Sequence, residues 1–517
     1  MDKATKDPRV KALYVHLPEY RSAGGFAQIQ EIKQKIEEFK SANKIAIAYS
    51  SEYNQSNYYL ATSFSKIYMQ PVGHLFLQGF NSTTLFYKGL LDKLNIIPRF
   101  VHAGDFKTAP NVITEHKFTP EHKLQVESLI GNIYKQLIEG ISINRNIPSN
   151  VLEKLVNDGP FFGEEAFNNK LVDGLQYEDE IIDGLKSAIG DNTNIINFKK
   201  YSIIANKEQD KKNSESNNRI ALIYAVGNIV PDVETQEPAS ITPRQMNKAF
   251  QMAIDDEKVK AIVIRIDSPG GSAIASDTIW RYVIHAQKSG KKVIASVGDV
   301  SASGGYYIMS PCDKIVCQPG SITGSIGVFS GKFLLSDFLE NKLGITHDSV
   351  IIGDNSNALS PFHDFTPAQL TRFQQNVEQI YDVFLDRVST GRKLSKEKVI
   401  PQAGGRVFTG IQAKQVGLID ELGGLDKAVD IARDLVNDST AQVVVYPRRL
   451  PLFKQIKEIM EGNGDSINVQ HVMLEALYSS HLEFLYPKIQ PWMKHLFNSP
   501  NPSVMAVASN IPQQKEK

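Results

Sequence analysis

The sequence predicts an α/β protein in which one domain of about 200 residues occurs twice in tandem. An alternating apolar run, Val10–Leu17, is followed by apolar residues at helical spacing over 27–42 and by a second run, Lys44–Tyr49. Strand, helix and strand of these lengths form a parallel βαβ unit. The same order returns in the second half. The 517 residues suggest two or more domains, and 42% hydrophobic with 22% charged residues is ordinary globular composition.

The second half repeats the first element by element. The run Val259–Ile266 is followed by Gly270-Gly271, by a helical pattern around 276–286 and by the strand Lys292–Ala295. Further blocks correspond at separations of 247 to 249 positions. They pair Tyr58-Tyr59 with Tyr306-Tyr307, 65–68 with 313–316, 91–94 with 340–343, and 162–166 with 409–413. Agreement over so many blocks indicates a tandem duplication.

The repeat defines a domain organisation. We expect an N-terminal repeat at 1–200, a linker at 201–218, a C-terminal repeat at 219–440, and a short strand with a helical tail at 441–517. The linker is predicted because 207–218 contains no apolar residue. The second copy opens with a strand, Arg219–Tyr224, that has no equivalent before Val10, so we expect that the sequence begins inside the first repeat.

Composition excludes several classes of function. Lys+Arg and Asp+Glu are both 57, so no basic excess favours nucleic acid. The 2 cysteines, Cys312 and Cys317, form neither a disulfide framework nor a zinc site. The sequence contains no signal-peptide pattern and no run near the roughly 18 apolar residues of a membrane span, which predicts a soluble chain.

A serine among small residues, Ser303 in Ala302-Ser303-Gly304-Gly305, is a candidate nucleophile. Glycines permit a sharp turn, and their N–H groups can point at a developing oxyanion. The corresponding residues of the first copy are Gln55, Ser56 and Asn57, so only the second copy has this arrangement. A plain structural turn is the alternative interpretation.

The serine needs a base and oxyanion donors. His347 and His363 are the next histidines, and a lysine with a lowered pKa is the other option; composition does not select one. Gly270-Gly271 follows a predicted strand, where ligands bind in parallel sheets, so this pair could supply an N–H beside that of Gly304. The alternative is that Ser-Pro-Gly-Gly is only a turn.

Four ordered motifs resemble the signal peptide peptidase A family, in its long, duplicated form (protease IV). They are Ser-Pro-Gly-Gly at 268–271, Ala-Ser-Gly-Gly-Tyr-Tyr at 302–307, Thr-Gly-Ser-Ile-Gly-Val at 323–328 and Phe-Thr-Gly-x-Gln-Ala-x-x-x-Gly-Leu-x-Asp-Glu at 408–421. The resemblance covers about residues 7–440. It implies the Clp/crotonase fold, built from repeated ββα units, a homo-oligomer that is a tetramer in this family, and a Ser-Lys dyad.

The resemblance also implies roles for individual residues. Ser303 matches the nucleophile and Lys107, in Gly104-Asp105-Phe106-Lys107-Thr108-Ala109, the general base. The counterpart of Lys107 in the second copy is Ser356, so each copy carries half of the dyad. The site must then form where copies meet, either within one chain or between subunits, and the family's assembly favours an oligomeric ring in which neighbours complete the sites. Gly270 and the N–H of Gly304 match the oxyanion hole. Ser325 matches the hydroxyl that orients the lysine, with Thr323 as a weaker candidate. The family's usual glutamate and proline after this motif are replaced by Pro110-Asn111-Val112.

The implied function is that of a serine endopeptidase that uses no metal and no cofactor. Its expected substrates are cleaved signal peptides and other apolar peptides at the inner membrane, on the periplasmic side, with an anchor absent from this chain. Two alternatives remain open. An acyl-CoA enzyme of the crotonase type would keep its activity without the Ser303 hydroxyl, and an inactive scaffold would leave Ser303 unlabelled by a serine-reactive probe.

Overall fold

Two halves of similar construction make up the protein. The structure, a computed structural model, describes residues 1–190, 194–212, 218–232 and 240–448. The helical tail predicted after the strand near 441–445 lies outside the described residues. Met1–Pro447 form one compact unit.

The first half contains eight strands and ten helices within the described ranges. The strands are β1 Ala12–His16, β2 Ile45–Ser50, β3 Tyr53–Asn54, β4 Lys66–Met69, β5 His74–Phe76, β6 Ile97–Ala103, β7 Phe161–Phe162 and β8 Gly174–Leu175. The helices are α1 Asp2–Lys6, α2 Phe26–Ser41, α3 Gln55–Ala61, α4 Lys88–Lys93, α5 Asn111–Thr114, α6 Pro120–Arg145, α7 Ser149–Asp158, α8 Gly163–Asn168, α9 Glu178–Ile189 and α10 Phe198–Lys212. Helix α10 includes part of the segment expected to be a linker.

The second half contains the remaining described elements. Its strands are β9 Arg219–Val226, β10 Asn228–Ile229, β11 Ser240–Ile241, β12 Val259–Ser268, β13 Lys292–Ala302, β14 Lys314–Cys317, β15 Ile322–Gly324, β16 Val328–Leu334, β17 Val407–Thr409, β18 Glu421–Leu422 and β19 Gln442–Tyr446. Its helices are α11 Pro243–Asp255, α12 Ala273–Lys288, α13 Gly304–Met309, α14 Ser336–Leu343, α15 Pro367–Arg392, α16 Lys396–Val399, a 3₁₀ turn Ile400–Gln402, α17 Gly410–Gln415 and α18 Leu425–Leu435.

Parallel sheets organise both halves, which confirms the α/β class. The first half has a sheet of order β1-β2-β4-β8, and the second a larger sheet of order β17-β15-β13-β12-β9-β19, in which β14 pairs with β13 and with β18. The predicted βαβ units are present, since β1 pairs with β2 and β12 with β13, both in parallel. The strand predicted at 292–295 continues to Ala302, so its carboxyl end reaches Ser303.

Buried hydrogen bonds recur in both halves and support the duplication. Tyr58 Oη donates to Leu171 O at 2.8 Å, and its counterpart Tyr306 Oη donates to Leu418 O at 2.8 Å. Helices α6 and α15 both have 26 residues, and each begins after a threonine whose hydroxyl caps the helix. Beyond the shared strands, the second half adds β9 and β19 to its sheet.

A two-stranded antiparallel sheet joins the halves near the site. Strand β6 of the first half pairs with β16 of the second over seven residue pairs, from Ala103 opposite Val328 to Ile97 opposite Leu334. Each half retains its own hydrophobic core. The loop that follows β6 therefore extends over the second half, and this loop carries Lys107.

Candidate active site

Ser303 lies at a sharp turn between β13 and α13. Its φ of 54° and ψ of −119° place it in a region that residues with a side chain rarely adopt. Its N–H donates to Gly324 O at 2.9 Å, and its carbonyl accepts from Tyr307 N at 2.9 Å. Helix α13 is buried along its whole length, so the surrounding core fixes this turn. The hydroxyl is thereby presented at the carboxyl end of the parallel sheet.

Lys107 reaches this serine from the first half of the same chain, so the pair forms without a neighbouring subunit. Its Nζ lies 3.0 Å from Ser303 Oγ, 3.0 Å from Ser325 Oγ and 3.1 Å from Ser325 O. The side chain is only 5% exposed. Burial lowers the pKa of Lys107 to about 8, because the ammonium loses its hydration. An appreciable fraction of this amine is therefore neutral near pH 8 and able to accept a proton.

Ser325 and Thr323 have different positions relative to the lysine. Ser325 follows β15 with a φ of 54°, and its N–H donates to Arg406 O at 2.6 Å. Both its hydroxyl and its carbonyl lie within hydrogen-bond distance of Lys107 Nζ. The expectation for Thr323 is wrong: its buried hydroxyl donates to Ser301 O at 2.7 Å and so stabilises the pairing of β13 with β15.

The glycines that precede α12 contact the turn at Ser303. Gly270 has a φ of +105°, and a Cβ on it would lie 2.7 Å from Gly304 N, so only glycine fits. Its own N–H, however, donates to Ser268 Oγ at 3.2 Å. Gly271 pairs with Ile229 in an isolated β-bridge. In this bridge Ile229 N donates to Gly270 O and Ser272 N donates to Ile229 O, so the Gly271 N–H is not used. Within the Gly270-Gly271 pair, the Gly271 N–H is therefore the candidate donor, in place of the Gly270 N–H that the resemblance implies.

The histidines considered as bases lie elsewhere. His347 is exposed, and its ring packs against those of Phe362 and His363. His363 Nε2 lies 3.0 Å from Ser349 Oγ. Ser303 is instead paired with Lys107, which leaves the lysine as the candidate base.

An element missed from the sequence is the loop at 403–406, just before β17. The Gly404-Gly405 pair in this loop was the available signal. Gly404 O accepts from Phe106 N at 2.8 Å, and Gly405 N donates to Ile326 O at 2.8 Å. The loop thus touches both the lysine loop and the strand connection that carries Ser325.

Comparison with known proteins identifies the family. The model of "Peptidase family S49" matches residues 38–190 and 285–438. The chain belongs to this family. Its two matched segments fall on the two halves of the structure, so the S49 pattern occurs twice, as the duplication predicts.

Relatives within S49 match most of the chain. A "Serine protease SPPA, chloroplastic" from Arabidopsis thaliana is 29% identical over 90% of this chain and 69% of its own length. A "Protease 4" from Haemophilus influenzae is 32% identical over 84% of this chain and 72% of its own length. Among solved structures, a ClpP1 mutant from Listeria monocytogenes has a TM-score of 0.27 and 14% identity, covering 42% of this chain and 98% of that chain, which adds nothing to the description of the fold.

In the first half, side chains bind the backbone N–H groups around the position equivalent to Ser303. Gln55, the counterpart of Ser303, accepts hydrogen bonds through Oε1 from Gln78 N at 3.2 Å and Gly79 N at 2.9 Å. Asn57 Oδ1 accepts from Ala23 N at 2.9 Å. These three backbone N–H groups are therefore already paired, and the close contact of a serine with a buried lysine is found in the second half.

Among the helices of the described ranges, none is both long and apolar enough to cross a bilayer.

Proposed function

We propose that this S49 peptidase is a serine endopeptidase that uses Ser303 as nucleophile and Lys107 as general base. The observation that carries the proposal is the 3.0 Å separation of Lys107 Nζ from Ser303 Oγ, in a position where the lysine pKa is lowered to about 8. Nucleophile and base at hydrogen-bond distance, with a third group orienting the base, is the arrangement that activates a serine. Ser325 is that third group.

The reaction proceeds through an acyl-enzyme. Neutral Lys107 takes the Ser303 proton as Oγ attacks the scissile carbonyl, and the tetrahedral oxyanion then collapses. The lysine ammonium donates its proton to the leaving amine, which departs and leaves an ester on Ser303. Lys107 next deprotonates a water that attacks the ester, and Ser303 regains its proton as the acid product leaves.

The oxyanion hole requires two N–H donors, of which Gly304 supplies the first. This N–H is the first of α13, so it has no partner within the helix. We assign the second donor to the N–H of Gly271 and not to that of Gly270, because the Gly270 N–H already donates to Ser268 Oγ. Gly270 then acts through its positive φ, which allows the backbone to approach Gly304.

The proposed substrates are extended apolar peptides, cleaved signal peptides among them, encountered at the inner membrane on its periplasmic side. The resemblance to the signal peptide peptidase A family supports this substrate class. We also propose that the chain works as a homo-oligomer, a tetramer as the resemblance implies. Exposed aromatic side chains on β16 support self-association.

Peptide hydrolysis by site variants tests the proposal. Fluorogenic apolar peptides are incubated with the wild type, Ser303→Ala and Lys107→Ala, and we expect both variants to lose at least about 10³-fold in kcat/KM. Lys123→Ala, an exposed lysine on α6, is the matched control and retains full activity.

Full activity in Lys107→Ala would overturn the dyad. Hydrolysis of acyl-CoA that survives Ser303→Ala would support the crotonase-type alternative, and an unlabelled Ser303 in a fluorophosphonate reaction would support an inactive scaffold.

A further inference from the structure

The loop at 403–406 lies between the two parts of the site that must be aligned. It follows the 3₁₀ turn Ile400–Gln402 and leads into β17. On one side it meets the turn that carries Lys107, which belongs to the first half. On the other side it meets the connection from β15 to β16, which carries Ser325.

Contacts with the lysine turn are made by backbone against backbone. Phe106 N donates to Gly404 O at 2.8 Å. A Cβ on Gly104 would lie 2.2 Å from Gly404 Cα, and a Cβ on Gly405 would lie 2.3 Å from Lys107 N and 2.4 Å from Lys107 Cα. Backbone atoms at these distances have no rotamer to change, so a side chain at Gly405 would have to displace the lysine backbone.

Contacts on the opposite side anchor the same loop to the Ser325 connection. Gly405 N donates to Ile326 O at 2.8 Å, and Ser325 N donates to Arg406 O at 2.6 Å. The loop therefore joins the lysine turn to the Ser325 connection through main-chain contacts. Main-chain contacts of this kind are short and rigid compared with a flexible lysine side chain.

Tyr381, on α15, makes a third contact with the loop. Its Oη accepts a hydrogen bond from Gly404 N at 2.9 Å. The ring is partly buried in the core of the second half. The charged and titratable groups around this contact are Asp382 on α15, Asp105 on the lysine turn and Tyr381 itself. Arg406 is also near, with its guanidinium carbon 4.8 Å from the centre of the Phe106 ring.

We propose that Gly405 and Tyr381 are positioning residues for the general base, acting through the loop at 403–406 to hold Lys107 against Ser303 and Ser325. This inference rests on the proposed Ser-Lys mechanism. A side chain at 405 pushes the lysine turn away from the second half, so the amine moves away from Ser303 and becomes more hydrated. A more hydrated lysine has a higher pKa, because burial is the cause of its lowered value.

The test compares two glycines with nearly the same positive φ. Gly405 has a φ of +90° and is crowded by Lys107, whereas Gly353 has a φ of +91° with open space where a Cβ would lie. Both Gly→Ala changes place a Cβ at a positive φ, which is strained, and only the change at 405 meets the lysine turn. We expect Gly405→Ala to lower kcat/KM by about 10²-fold at pH 8, the cost of a misplacement near 1 Å. We expect Gly353→Ala to retain wild-type activity.

The pH profile separates positioning from a general structural role. In Gly405→Ala the acid limb of kcat/KM moves to higher pH, and part of the lost rate returns as the pH rises. Tyr381→Phe, a milder change should Gly405→Ala fail to fold, moves the limb in the same direction with a smaller loss, about 10-fold. Circular dichroism and thermal unfolding of each variant record whether the fold is retained.

The outcomes distinguish this inference from the proposed function. If Lys107→Ala abolishes hydrolysis while folded Gly405→Ala and Tyr381→Phe keep the wild-type rate and pH profile, the positioning role is wrong and the dyad stands. A uniform loss of rate with an unmoved acid limb also overturns the positioning role. If Lys107→Ala remains active, the dyad itself fails, whatever the glycine variants show.

Discussion

At Ser303 the backbone conformation lowers the stability of the fold. A φ of 54° with a ψ of −119° is unfavourable for any residue with a Cβ and costs about 1–3 kcal/mol. The buried helix α13 and the hydrogen bonds of Ser303 N and O impose it. A strained turn that makes a hydroxyl project is what the proposed nucleophile would need.

This strain predicts that Ser303→Gly is more stable than Ser303→Ala. Both variants lack the nucleophile, but only glycine adopts the left-handed conformation without penalty. We expect the free energy of unfolding in urea to be about 1 kcal/mol higher for the glycine variant, after allowance for the greater flexibility of glycine in the unfolded chain. If the two variants had equal midpoints of urea unfolding and equal slopes of the free energy against urea concentration, Ser303 would not be strained.

The buried lysine predicts the pH dependence of hydrolysis. The base must be neutral, and the pKa of Lys107 is lowered to about 8 by burial. Log kcat/KM should therefore rise by about one per pH unit below pH 8 and level off above it. Measurements between pH 5.5 and 10 with a peptide that carries no titratable group provide the check. A flat profile across pH 7 to 9 would exclude a lysine with this pKa as the base.

Helix α2 shows how the first half depends on the second. Its N-cap residue, Gly25, has no side chain that could cap the helix. Asp299 of the second half does so: its Oδ1 accepts from Ala27 N at 3.0 Å and from Gln28 N at 3.1 Å. A carboxylate at this position satisfies helix donors and interacts favourably with the helix dipole.

Removal of this cap should weaken the contact between the halves. We expect Asp299→Ala to lower the free energy of unfolding by about 1–2 kcal/mol, the usual cost of a lost N-cap. Asp179→Ala, an exposed acidic residue in the first turn of α9, is the control and should change it by less than about 0.5 kcal/mol. Urea denaturation monitored by circular dichroism measures both. A loss no larger than that of the control would mean that Asp299 does not cap α2.

The elements that the sequence predicted are those with local or repeated signals. The strand starting at Val259 follows from its alternation, and the duplication follows from blocks such as Tyr58-Tyr59 and Tyr306-Tyr307. The cap from Asp299 to α2 and the contact between Gly405 and Lys107 join residues about 270 and 300 positions apart. Such contacts carry no periodicity, so no local pattern could reveal them.

At the site, the sequence predicted the residues that lie in a distinctive motif. It did not predict which of two residues close together in sequence makes a given hydrogen bond. Ser303 and Lys107 lie in distinctive motifs, and the structure places them together. Thr323 and Ser325 are separated by one residue, and only the strand pairing of β15 directs Thr323 to Ser301. The choice between Gly270 and Gly271 depends in the same way on the hydroxyl of Ser268.

At the scale of the whole molecule, the sheet that joins the halves also presents an aromatic surface. Phe100 of β6 packs against Phe329 and Phe333 of β16, with ring centroids 6.4 and 5.4 Å apart. Gly331 lies opposite Phe100 and leaves room for its ring. Phe329 and Phe333 are 42% and 36% exposed. Exposed aromatic rings in a cluster are typical of protein interfaces, and the proposed homo-oligomer supplies a second copy to cover them.

This surface predicts that a charge at Phe329 dissociates the assembly. Phe329→Glu places a carboxylate where the proposed interface excludes water, and desolvation of that charge opposes association. Sedimentation velocity should show the wild type as an oligomer and Phe329→Glu as a smaller species with unchanged circular dichroism. Phe167→Glu, on α8 and 47% exposed, introduces the same charge away from this sheet and should leave the mass unchanged. A wild type that sediments as a monomer, or a Phe329→Glu variant with wild-type mass, would place any self-association of this peptidase elsewhere. Because Ser303 and Lys107 meet within one chain, hydrolysis of short peptides should persist in the dissociated variant.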